Sequence, residues 1–230
     1  MATVTEAAKQ TLQRIRPRLR GWQHAGAIPA AIICGIILVA LSPPNLRLAA
    51  TIYSLSTIAL FTVSATFHRG TWGPRMYAFL RRADHATIFL LIAGSYTPFV
   101  VVLVGGNSGT QLLWIIWIAA LLGMVFRVVW IGAPKAVTVP VYVTLGCTAL
   151  LYTPTIWQTG GAAIYLLLVG GGMFYIAGAV IYGIGRPDPS PRWFGFHEIF
   201  HSCTLGGYVT HYVGISLAIY GVAGTAAAVS

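Results

Sequence analysis

Few residues in this 230-residue chain can do chemistry. It holds six histidines (His24, His68, His85, His197, His201 and His211) and four carboxylates (Glu6, Asp84, Asp188 and Glu198). His197 and His201 stand four positions apart. On a helix that spacing sets both imidazoles on one face, about 6 Å apart along the axis, which suits two ligands of one tetrahedral zinc ion. Ser64 and His68 repeat the spacing, so a hydroxyl and a third imidazole share a face of their own helix. Three protein nitrogens leave a fourth position open for water, as in catalytic zinc sites. Asp84 is then the candidate to hold and deprotonate that water. Nitrogen ligands beside an aspartate favour zinc over magnesium or calcium.

The stretch His197-Glu198-Ile199-Phe200-His201 also matches the H-E-x-x-H pattern of zinc proteases, with Glu198 as general base. That alternative leaves Asp84 without a task and gives no reason for His68 to share the depth of the pair.

The elements that must position these groups follow from composition. Hydrophobic residues make up 57% of the chain and charged residues 8%, against roughly 25% charged in a soluble domain. So few charges cannot cover the surface of a soluble fold, and a soluble enzyme, a disordered chain and a disulfide scaffold are all excluded. The chain reads as an integral membrane protein. Cys34, Cys147 and Cys203 lie in separate apolar runs with no CxxC, and are expected to be small core residues.

Backbone polar groups in lipid must be satisfied within a segment, so long apolar runs are helices. Seven runs qualify, over residues 22–41, 46–67, 84–104, 111–131, 136–157, 162–185 and 194–222. Each is about 20 residues or longer, enough for roughly 30 Å of hydrocarbon. The expected architecture is all-α, a seven-transmembrane helix bundle. The first run follows a basic stretch but lacks a clear cleavage site and precedes six more spans, so it is expected to be a span and not a signal. The domain organisation expected is a basic cytoplasmic segment at 1–21 and one transmembrane domain at 22–230.

Loop charge sets the orientation. Of the 14 Lys and Arg residues, Arg47 alone falls on one side of the expected membrane, which places the N-terminus in the cytoplasm and the C-terminus outside. The same bias explains the net charge of +10 without any nucleic-acid partner. With this topology His68 ends the second helix, Asp84 begins the third, and His197 and His201 fall in the first turns of the seventh. All four come to the inner leaflet. Polar groups at such depth cost several kcal/mol unless paired or liganded.

Other polar features have plainer expectations. His24, His85 and His211 are expected to hydrogen-bond between helices. Gly170-Gly171-Gly172 and Gly178 are expected to permit close helix approach. Trp22, Trp130, Trp157 and Trp193 fit interfacial belts, and Arg69, Arg75, Arg81 and Arg82 set topology beside anionic headgroups.

Three motifs together resemble the hemolysin III branch of the progestin and adipoQ receptor family. They are Ser64-Ala65-Thr66-Phe67-His68, the run from Ala83-Asp84-His85 to Ser95-Tyr96-Thr97-Pro98, and His197-Glu198-Ile199-Phe200-His201. The resemblance spans the chain from first to last helix. It implies a zinc ion held by His68, His197 and His201, with Asp84 contacting the bound water and Ser64 beside it. In that family the glutamate of the last motif is not a ligand. The family is similar to alkaline ceramidases, which implies zinc-dependent hydrolysis of a lipid amide or ester bond, and its name carries an association with cytolysis. Membrane lipids entering from the inner leaflet are the partners expected, and the cell membrane, in a bacterium the inner one, is the location. A competing expectation is a purely structural zinc in a receptor-like or lytic membrane protein.

Overall fold

The computed structural model describes residues 17–229, with side chains placed as far as Gly221. Glu6, Lys9, Arg14, Arg16 and most of the 1–21 segment lie outside the described residues. The described residues form α1 (Trp22–Leu41), α2 (Arg47–Arg69), α3 (Pro74–Leu103), α4 (Gly106–Val129), α5 (Lys135–Cys147), a 3-10 turn (Thr148–Tyr152), α6 (Thr153–Ile184) and α7 (Phe196–Val229). Among the described residues five stretches are long and apolar enough to cross a membrane: α1 to α4, and Lys135–Ile184 taken as one. The helix α7, which carries His197, His201 and His211, is not among them.

The fifth stretch doubles back. The Lys135 ammonium donates to the Tyr182 carbonyl at 2.8 Å, and a Cβ placed on Gly183 would lie 3.7 Å from Val139. The reversal falls at Gly161, whose φ of 71° and ψ of 177° are non-helical and favour glycine. The reversal falls in the gap expected between the sixth run, from 162, and the fifth run, to 157. A 3-10 turn interrupts that run at Thr148, and α6 opens on Thr153-Pro154 before the bend, because proline suits a helix start.

The third helix also departs from expectation. It begins at Pro74, ten residues before Asp84, so Asp84 lies about three turns in and not at the helix start. Residues 74–83 contain Arg75, Arg81 and Arg82, which end an apolar run but not a helix, since helical hydrogen bonding needs no apolar side chains.

Sequence neighbours pack together, and α3 sits at the centre, touching α2, α4, α5, α6 and α7, while α7 also touches α1. Close approach depends on small residues. A Cβ on Gly94 of α3 would collide with Ser56 of α2, and one on Gly178 would lie 2.9 Å from Cys203 Cβ. The inward faces bury Tyr53, Phe61, Phe89, Ile215 and Ile219, while Leu48, Val129 and Leu151 point outward at 72%, 77% and 78% exposure. An apolar exterior around a buried core containing polar residues fits lipid as the surrounding solvent. The three cysteines form no disulfide.

Candidate metal centre

Three helices build the site. His68 is on the last turn of α2, Asp84 on α3, and His197 and His201 on the first turns of α7. The start of α7 is held by two carboxylates. Asp188 accepts the Phe196 N–H at 3.0 Å and Glu198 accepts the Gly195 N–H at 2.9 Å. Both satisfy donors that a helix start otherwise leaves open, and both complement the helix dipole. Glu198, wholly buried, also accepts the Arg20 Nε at 2.5 Å. This contact ties the approach to α1 to the base of α7. Arg18 N–H and Leu19 N–H donate to the carbonyls of Arg192 and Trp193 at 2.9 and 3.2 Å, which strengthens the same tie.

The four-residue spacing then does what helix geometry dictates. The rings of His197 and His201 lie 4.6 Å apart between centroids, and His68 approaches them at 4.6 and 5.2 Å. A ligating nitrogen from each of the three falls within 4.8 Å of the others. The Nε2 atoms of His68 and His197 are only 3.1 Å apart. Two imidazole nitrogens at that distance must share either a proton or a cation. The Asp84 Oδ2 stands 3.8 Å from the His68 Nε2, and the Ser64 side chain lies beside the Asp84 carboxylate. The structure therefore brings together all five residues singled out in the sequence: Ser64, His68, Asp84, His197 and His201. Three convergent imidazoles beside a carboxylate form a donor set that fits zinc.

The remaining histidines divide. His211 meets expectation, its Nε2 lying 3.0 Å from the Leu168 carbonyl on α6. His85 turns away from the centre and places its Nδ1 2.7 Å from the Arg81 carbonyl of its own helix, so its bond is not an interhelical one. His24 departs furthest from expectation. It is buried with neither ring nitrogen hydrogen-bonded, and its ring stacks on His201 at 3.9 Å with planes 16° apart. It braces a candidate ligand. The leaflet reasoning that gathered the other groups reaches His24 too, because it begins the first helix on the cytoplasmic side. Tyr182 was not legible in this way. It lies on α6 with its ring centroid 5.8 Å from that of His197.

Comparison with known proteins identifies the chain's relatives. The family model described as "Haemolysin-III related" matches residues 12–212. The chain is similar to Hemolysin-3 of Bacillus cereus, 29% identical over 181 residues, covering 79% of this chain and 80% of the relative. It is similar to the Hemolysin-3 homolog of Bacillus subtilis (strain 168), 32% identical over 157 residues, covering 68% and 70%. It also matches the monocyte to macrophage differentiation factor of Homo sapiens at 27% identity over 207 residues, covering 86% and 82%.

Proposed function

Since the chain belongs to the haemolysin-III related family, within the progestin and adipoQ receptor superfamily, and is a multi-pass protein of the cell membrane, we propose that it is a zinc-dependent hydrolase of lipid amide or ester bonds. The observation that carries this reading is the convergence of three imidazoles on one point with a carboxylate and a hydroxyl beside it. His68, His197 and His201 would hold the ion. When bound, zinc supplies Lewis acidity toward a carbonyl oxygen and acidifies water.

The chain's own groups supply the rest. Asp84 takes a proton at its carboxylate and returns it to the leaving group. Ser64 donates to that carboxylate, which fixes its orientation and leaves the other oxygen directed at the centre. The apolar outer faces of α2 and α7 let an acyl chain approach from the inner leaflet. In this reading the fifth apolar stretch, folded back at Gly161, crosses twice, and with α7 the bundle has seven transmembrane helices, N-terminus inside and C-terminus outside. Residues 1–21 then form a cytoplasmic segment and 22–230 the transmembrane domain.

One observation favours a second reading. The Asp84 Oδ2, 3.8 Å from the His68 Nε2, is close enough to close the coordination sphere, which would make zinc structural, as in a receptor-like or lytic protein. The protease alternative is disfavoured, because Glu198 is already engaged by Arg20 and by Gly195. The test is metal analysis of the purified protein, followed by lipid hydrolysis in vesicles with and without chelator. One zinc per chain and chelator-sensitive release of fatty acid support the hydrolase. Hydrolysis that persists after zinc removal overturns it.

A further inference from the structure

Arg127, in the last turn of α4, is buried to 3% exposure in an apolar bundle. The ion pairs among the described residues join Arg20 to Glu198 and His68 to Asp84, and Arg127 takes part in neither. One Nη reaches the Trp130 carbonyl at 3.5 Å, the limit of a hydrogen bond. The guanidinium also lies in electrostatic reach of the Tyr142 hydroxyl of α5, which donates to the His85 carbonyl at 3.4 Å. Its buried Nε has no acceptor. A buried guanidinium without an opposite charge beside it costs several kcal/mol.

The surroundings add positive charge and little negative. The Arg82 Nε donates to the Val128 carbonyl at 2.9 Å, on the residue next to Arg127. The Lys135 ammonium lies 4.4 Å over the Tyr182 ring, and Arg81 and Arg127 both lie in electrostatic reach of the Tyr182 hydroxyl and of His85. The carboxylate facing this cluster is Asp84, in electrostatic reach of Tyr142 and Tyr182 but making no ion pair with Arg127. Tyr182 separates the cluster from His197, so the cationic group adjoins the metal centre. Arg127 is also close to the half-exposed Trp130, a residue type that collects at membrane interfaces, where lipid phosphates lie. The guanidinium Nε without an acceptor, beside its Nη, matches the paired oxygens of a phosphate.

We propose that Arg127 and Tyr142 bind the phosphate of an acyl lipid and thereby set that lipid's scissile bond against the metal centre. The substrate class is then a phosphate-bearing amphiphile with an acyl amide or ester. This rests on the hydrolase reading for its purpose, but the binding step does not require turnover.

The test uses the full chain, stripped of metal, in an uncharged detergent. Binding of dioctanoylglycerol phosphate, of dioctanoylglycerol and of inorganic phosphate is read by native mass spectrometry and thermal shift. The phosphorylated lipid binds at least about tenfold tighter than its unphosphorylated twin, the ratio conferred by a charge-assisted hydrogen bond. Arg127→Gln removes that preference, and Tyr142→Phe reduces it by about threefold to tenfold, one neutral hydrogen bond's worth. Arg186→Gln, in the loop after α6, leaves it intact. Tyr142→Phe deletes one hydroxyl, so it reports even where Arg127→Gln fails to fold. Equal affinity for the two lipids, or a preference that survives both variants, overturns the proposal. Binding of inorganic phosphate without the phosphorylated lipid overturns the lipid assignment. Phosphate-dependent binding without hydrolysis leaves this site standing and sinks the hydrolase. Hydrolysis of both lipids at equal rates does the reverse.

Discussion

Replacing Asp84 by asparagine separates proton transfer from metal binding. The carboxylate lies 3.8 Å from the His68 Nε2, is 15% exposed and has Ser64 beside it. Asparagine has the same shape and keeps an oxygen for Ser64, but it has no basicity. The three imidazoles are untouched, so the ion should remain. A positioned general base contributes about 10²–10⁴ in rate. At about 1.4 kcal/mol per factor of ten, the barrier rises by about 3–5 kcal/mol. The assay is fatty-acid release by the full chain reconstituted in lipid vesicles, with metal content measured on the same preparation. We expect turnover to fall by at least about 100-fold with metal content unchanged. Turnover within about threefold of the parent would refute the base role. Loss of the metal together with stability would instead make Asp84 a fourth ligand, as the structural reading requires.

Three further outcomes follow from particular contacts. Glu198→Ala leaves Arg20 unpaired and the Gly195 N–H without an acceptor. We expect a loss of about 3 kcal/mol, the lower end for breaking a buried pair because Arg20 keeps some water, seen as a lower Tm with turnover surviving below it. Abolished turnover at an unchanged Tm would restore the protease reading. His24→Ala opens space against His201 and should cost about 2–4 kcal/mol and weaken zinc in chelator competition, whereas His24→Phe keeps the stacked ring and the affinity. If phenylalanine fails as badly as alanine, the ring nitrogens and not the stacking are what matter. A reporter fused after Ser230 should read as exterior, and a cysteine at Asp188 should label from the cytoplasm. The opposite pattern would reverse the assigned orientation.

Much of the site was legible in the chain because its determinants are local. A four-residue spacing puts His197 and His201 on one helix face whatever surrounds them, and the same holds for Ser64 and His68. Loop charge then sorts helix ends by leaflet, which brings His68, Asp84 and the α7 pair to one depth. Composition alone established an all-helical membrane chain, since so few charges cannot solvate a soluble surface.

Other features depend on how each helix is rotated about its axis and on backbone conformation at single residues, and these are tertiary properties. Charge at Arg75, Arg81 and Arg82 ended an apolar run while α3 continued through it, which moved Asp84 three turns into the helix. Hydropathy left a gap at 158–161, but the positive φ of Gly161 that makes the reversal there is a backbone property it does not register. His24 and Arg127 read from sequence as a helix-bonding group and a topology charge. Only packing showed the first stacked on a candidate ligand and the second buried without an anion. Glu198 shares a motif with the histidines, but its rotation of about 100° per residue turns it away from them and onto Arg20.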